Sequence, residues 1–169
     1  MKYWPFKVFL LSFIVSAIFS GLSSFCGDMN VIILLIILII VIFIGIIFDM
    51  IGVATLTSKE SSFHAMSSKK INGAKESISL LRNSNIVSSI CNDVVGDICG
   101  IVSGSLGASL TTYLVITFHT NILWITILIT SLISALTVGG KALGKQLAMK
   151  KSDKIVFGVG KIKHLLHLK

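Results

Sequence analysis

Apolar residues in this chain gather into four long blocks separated by shorter polar stretches. The most extreme block, VIILLIILIIVIFIGIIF, runs from 31 to 48 without a charge. As a helix it is roughly 27 Å long, about the thickness of a bilayer core. Its isoleucines favour strands in water, but strands are seldom so long or apolar on both faces throughout. The run therefore predicts a transmembrane helix. A first block covers about 6–25, after KYWP, with Pro5 suited to a first helical turn and Tyr3 and Trp4 to an interfacial belt. A third block is long, about 86–118, and a fourth covers 122–140 with Trp124 near its start. The first block has a rival reading as a secretory signal peptide, given Lys2, Lys7 and SAIFSGLSS, although no clear small-x-small cleavage site ends it. Residue 28 faces outside in either case. The pattern predicts an all-α membrane protein, a bundle of three to four transmembrane helices in one domain over 1–169, with 1–28 as an extra N-terminal helix.

The polar stretches carry their own periodicity. In GAKESISLLRNSN, within the segment 58–85, Ala74, Ile78 and Leu81 fall on one helical face beside Lys75 and Arg82. Asn83 to Asn85 then break the helix, and Ser84 or Asn85 can cap the next one. In the basic tail 142–169, Ile155, Val159, Ile162 and Leu166 follow helical spacing among lysines. The first predicts an amphipathic helix lying along the membrane or against the bundle, and the tail a basic interfacial helix on the inner leaflet.

Charge then fixes an expected orientation. Of the 169 residues 13% are charged, about half the share in soluble domains, and the net charge is +8. Lys2 and Lys7 precede the first block, Lys59, Lys69, Lys70, Lys75 and Arg82 lie between the second and third, and seven of the tail's lysines follow the fourth from Lys145 onward. The other two connections hold only Asp28 and no lysine or arginine. This alternation places both termini in the cytoplasm of a multi-pass protein of the plasma membrane. It also accounts for the basic balance without nucleic acid.

Few residues suggest chemistry. Asp93 and Asp97 are four apart on the third block and Asn92 lies beside them, a hard oxygen set that suits magnesium or calcium rather than zinc or copper. An outer helix end at 118 puts the span at 99–118 and both aspartates at the inner interface, so hydrated interfacial residues are the competing reading. Asp49 ends the second block and Lys141 the fourth, near the same face. Gly96, Gly100 and Gly104 repeat every four residues, with Ser103, Gly107 and Thr111 as a second small ridge, which favours close helix packing. Cys91 and Cys99 are about 12 Å apart along a helix, too far for a disulfide, and Cys26 stands alone; all three read as small apolar residues. His64, His119, His164 and His167 are scattered; HLLH at 164–167 has metal-like spacing but no acidic partner nearby in sequence. No phosphate loop, Ser-His-Asp set or HExxH occurs, so neither an enzyme nor a nucleotide site is expected.

The stretch from FDMIGVATLTS to GAKESISLLRNSN, and then GGKALGKQLAMKKSDKI, resembles the transmembrane domain of the CNNM/CorC (CorB-type) magnesium transporters. Phe48 and Ala54 match the end of that family's first motif, Ala74, Lys75, Leu80 and Leu81 its cytoplasmic helix, and Gly140, Lys145, Ala148 and Asp153 its last motif. The chain departs from the family at Ile51 and Gly52, where a serine-glutamate pair stands, at Lys141 in place of a glutamate, and at Gly144 in place of a proline. Asn92 arrives a few residues before the family's asparagine. The resemblance implies a homodimer and a dehydrated magnesium site built by side-chain oxygens and backbone carbonyls. The family commonly adds a nucleotide-binding CBS pair, which these 169 residues are not expected to contain; a separate cytoplasmic regulator would supply it. Two functions follow. One is a divalent-cation transporter, magnesium first and possibly cobalt, with Asn92, Asp93, Asp97 and Asp49 lining an inner-facing site among membrane lipids. The other is a transport-silent structural or regulatory homologue in which Lys141 occupies the vacated cation site.

Overall fold

A computed structural model describes residues 30–119 and 121–166, together with isolated helical positions between 6 and 21. Lys2, Tyr3, Trp4, Pro5, Lys7, Cys26, Asp28, His167 and Lys169 lie outside the described residues, and with them the expectations placed on the first block's ends and on HLLH. The described chain is all-helical: α1 (Val31–Thr57), α2 (Glu60–Ser68), α3 (Ala74–Arg82), α4 (Ser84–Ser89), a π-helical turn (Ile90–Val95), α5 (Gly96–Phe118), α6 (Ile122–Lys150) and α7 (Ser152–Leu165). α4, the π turn and α5 form one continuous helix, Ser84–Phe118. This helix, α1 and α6 are each long and apolar enough to cross a membrane.

Asparagines start two of these helices. The Asn30 side-chain oxygen accepts from the Ile32 N–H at 3.0 Å, and Asn121 accepts from Leu123 at 3.0 Å. Each satisfies an amide that the first helical turn leaves open. The expected cap at Ser84 or Asn85 is not made, because both lie inside the helix. Asn83 holds the cap position, and its side-chain amide turns back to donate to the Ser79 carbonyl at 2.9 Å. The long helices also outrun their apolar blocks. Asp49 and Lys141 do not end helices: α1 continues to Thr57 and α6 runs through Gly139 and Gly140 to Lys150. Charge marks where lipid gives way to water, whereas a helix stops only where its backbone bonds find no continuation.

The chain divides into two compact units, residues 1–46 with 94–140 and residues 47–93 with 141–169. In the first, Leu34, Leu38 and Ile42 of α1 pack with Val102, Leu106 and Leu110 of α5 and Ile129 and Ile133 of α6. A Cβ on Gly107 would stand 2.4 Å from Ile133, and one on Gly140 would stand 2.3 Å from Ile46. Outside this small core the unit exposes large side chains, including Trp124 at 75% and much of α6. No soluble surface is built this way, but lipid chains cover it without cost.

In the second unit, Ala54, Phe63, Leu81, Ala148 and Val156, one residue from each of five helices, form the core. The expected face of α3 is the packed one, with Ala74, Ser77 and Leu81 buried. α7 packs through a face other than its expected apolar one, which stays open. Val156 and Gly160 are its buried residues, while Ile162 and Leu166 face outward. The cause is Gly160: a Cβ there would meet the Ser77 hydroxyl at 2.1 Å and the Gly73 carbonyl at 2.6 Å, so α3 and α7 touch backbone to backbone. Ser77 Oγ donates to Gly73 O at 2.8 Å, which settles its polarity inside the contact. Ser58 at the end of α1 hydrogen-bonds Asp153 in the first turn of α7.

Candidate functional site at the Gly52 turn

The polar residues of interest on α1 and on the π turn belong to the second unit. Asp49 is 4% exposed, inside α1. Its Oδ2 has no hydrogen-bond partner among the described residues and stands 3.8 Å from the Lys145 ammonium, beyond hydrogen-bond reach. One turn later on the same face comes Gly52. A Cβ on Gly52 would lie 2.1 Å from Asn92 Oδ1, so glycine is what admits the amide there. Asn92 Nδ2 donates to Ser88 Oγ at 3.2 Å, but its Oδ1 is buried with no hydrogen-bond partner among the described residues. Thr55, 2% exposed, donates to the Gly52 carbonyl at 2.8 Å. Two buried oxygens, one carboxylate and one amide, are thus left open around one turn of α1. An unmet buried polar atom costs about 1–3 kcal/mol, more when charged, unless something binds it.

The π turn carries Asn92. Six residues, ICNDVV, wind with i→i+5 bonds between two α-helical stretches. Such turns are rare and concentrate at functional sites. Here the turn keeps Cys91 buried and Asn92 half-buried while Asp93 is exposed.

The expected acidic set therefore divides. Asp49 and Asn92 come to the Gly52 turn. Asp93 and Asp97 are both exposed; Asp93 accepts from Ser89 Oγ at 2.9 Å, and neither makes an ion pair among the described residues. Lys141 makes no ion pair either, and the lysine that reaches Asp49 is Lys145, one turn further along α6. The glycine ridge divides as well. Gly107 packs against α6, but Gly100 and Gly104 meet nothing within 4 Å among the described residues. Gly45, whose Cβ would touch the Cys99 Cβ at 3.0 Å, is a packing glycine that the ridge pattern missed; as the sole glycine in the 31–48 run it carried its own signal.

Among the described residues no group of three or more His, Cys, Asp or Glu is placed to hold a metal. Asp49 and Asn92 offer one carboxylate and one amide oxygen, two hard donors of the six that octahedral magnesium takes. His164, expected to lack an acidic partner, has one: its Nδ1 lies 2.8 Å from Glu76 Oε1. That contact holds the Glu76 carboxyl below its ordinary value. Glu60 is likewise lowered, first by the hydrogen bond from Arg82 Nε at 2.8 Å, with His64 at 3.1 Å adding to it. Comparison with known proteins finds no matching family model, no similar curated protein and no similar solved structure.

Proposed function

We propose that this protein is the membrane domain of a divalent-cation transporter, magnesium first, and that the ion's entry site is the Gly52 turn rather than the Asp93–Asp97 pair. One observation carries the reading: Asp49 Oδ2 and Asn92 Oδ1 are both buried and, among the described residues, without a hydrogen-bond partner around Gly52. The resemblance to the CNNM/CorC membrane domain points the same way, since an oxygen-lined, dehydrated site is what that family implies. The charge distribution supports an inner-facing site. Every described lysine and arginine lies in the unit that holds Asp49 and Asn92, which the positive-inside rule assigns to the cytoplasm together with both termini. The bare lipid-facing surface of α6 and the open ridge of Gly100 and Gly104 suit a homodimer. A separate cytoplasmic regulator fits the same scheme.

Lys145 favours a second reading, a transport-silent protein in which its ammonium, not that of Lys141, neutralises Asp49. At 3.8 Å and half-exposed, Lys145 is a weak and displaceable counter-ion. Magnesium binding to the purified chain by titration calorimetry separates the two. Transport predicts binding that Asp49→Asn or Asn92→Ala weakens at least tenfold. The silent reading predicts no binding in wild type and its appearance in Lys145→Gln.

A further inference from the structure

The second unit contains a cavity of about 290 Å³ unrelated to the Gly52 turn, lined by Ser67, Lys70, Asn72, Lys75, Glu76 and His164. We propose that it binds the phosphate group of an anionic phospholipid. The strongest sign is Lys70. It occupies the left-handed region, φ 53°, at the position after the α2 C-cap. Lys70 N–H donates to Ser67 O and Ile71 N–H to Met66 O, the paired bonds of a Schellman ending, in which glycine is the usual residue at this place. A lysine there strains the backbone and needs a reason beyond the turn. Its side chain lines the cavity.

Lys75 joins it from the first turn of α3, and His164 enters from α7. The one acid present, Glu76, already holds His164 at 2.8 Å, and the charge of Lys163 also acts on its carboxyl. The cavity wall is therefore net cationic, with a serine hydroxyl and an asparagine amide as further donors, which matches phosphate oxygens. The lining argues for a lipid rather than a soluble phosphate. Ile71 lines the cavity and is exposed, and α7, which brings His164 to it, ends in exposed Leu165 and Leu166. Acyl chains and glycerol would cover such a surface; a free phosphate would leave it wet.

The test uses the full chain in neutral detergent, with native mass spectrometry counting bound dihexanoyl phosphatidic acid against dihexanoyl phosphatidylcholine, and inorganic phosphate as competitor. Lys70→Gly relieves the strain and removes the cation, so it keeps or raises the melting temperature while weakening phosphatidic acid binding at least tenfold. Lys75→Gln weakens it similarly, and added salt weakens it in wild type. Unchanged affinity in both variants overturns the proposal. Equal binding of phosphatidylcholine overturns the anionic class. Inorganic phosphate that competes as strongly as the lipid binds overturns the lipid source.

Discussion

The two units of this protein are built from stretches of the same three long helices, yet different physics holds each together. The unit of residues 31–46 and 94–140 carries no described lysine or arginine and one aspartate, and it presents large aliphatic and aromatic side chains outward. Its core is a seam of leucine, isoleucine and valine. Since lipid chains are as apolar as those side chains, burial brings little hydrophobic gain there, and contact between fitted surfaces has to hold the helices. The unit of residues 47–93 and 141–166 carries every described lysine and arginine. Short helices meet there through Phe63, through glycine and serine at backbone distance, and through exposed ion pairs. Where that unit meets water, burial contributes more. The comparison teaches that one chain of 54% hydrophobic residues packs its two units in different ways, and a given substitution should cost differently in each.

The sharpest way to break that comparison is a matched pair of core truncations. Phe63 and Leu106 are each 1% exposed. Phe63→Ala should cost about 3–5 kcal/mol, the range for aromatic truncation in water-excluded cores. Leu106→Ala should cost less than the ~2–5 kcal/mol of leucine truncations in soluble proteins, because only its packing is lost. Amide hydrogen exchange of the protein in bilayers reads both as loss of local protection. A loss at Leu106 equal to that at Phe63 would mean the units do not differ as described.

A second pair lies on α7. Gly160→Ala forces a methyl into the Ser77 and Gly73 backbone and should destabilise the α3–α7 contact by about 1–3 kcal/mol. Gly158, two residues away, has open space where its Cβ would stand, so Gly158→Ala should stabilise the helix by roughly 0.5–1 kcal/mol. Opposite signs in thermal melts support the close approach; equal signs remove it.

The smallest expected effect is electrostatic. The Glu60 carboxyl is held below its ordinary value of 4.5 by Arg82. A lowered carboxyl contributes stability that is fully present above that ordinary value and is lost as pH falls through the lowered one. Protection of α2 should therefore be flat from neutral pH down to about 4.5 and weaken below it. Glu60→Gln should flatten the acid limb of that profile. The pair is exposed, so the change is slight.

Much of the architecture was legible in the residue pattern. The bare 31–48 run could only be a span, and the Ala74, Ile78 and Leu81 spacing marked the buried face of α3. Other features depend on contacts that pattern cannot carry. Helix ends at Thr57 and Lys150 follow from backbone bonding, not from where charge begins. The α3–α7 contact follows from the absence of one methyl at Gly160. The Gly52 turn was the least legible feature. Its glycine stood out as a departure from the resembled family, but only the π turn at 90–95 brings Asn92 onto it. Lys141 and Lys145 lie one turn apart on α6 and are equivalent in a helical projection, so which one reaches Asp49 depends on the helix crossing. Asp93 and Asp97 drew attention by their spacing, yet both face outward.

The central claim is that the Gly52 turn, not the exposed aspartates, admits the cation. Magnesium uptake into reconstituted proteoliposomes tests it most directly, with wild type compared against Asp49→Asn and against the double variant Asp93→Asn with Asp97→Asn. The account predicts uptake above protein-free vesicles in wild type, loss to background in Asp49→Asn, and retention of most of the flux in the double variant. Background flux in wild type, or full flux in Asp49→Asn with loss in the double variant, would contradict it.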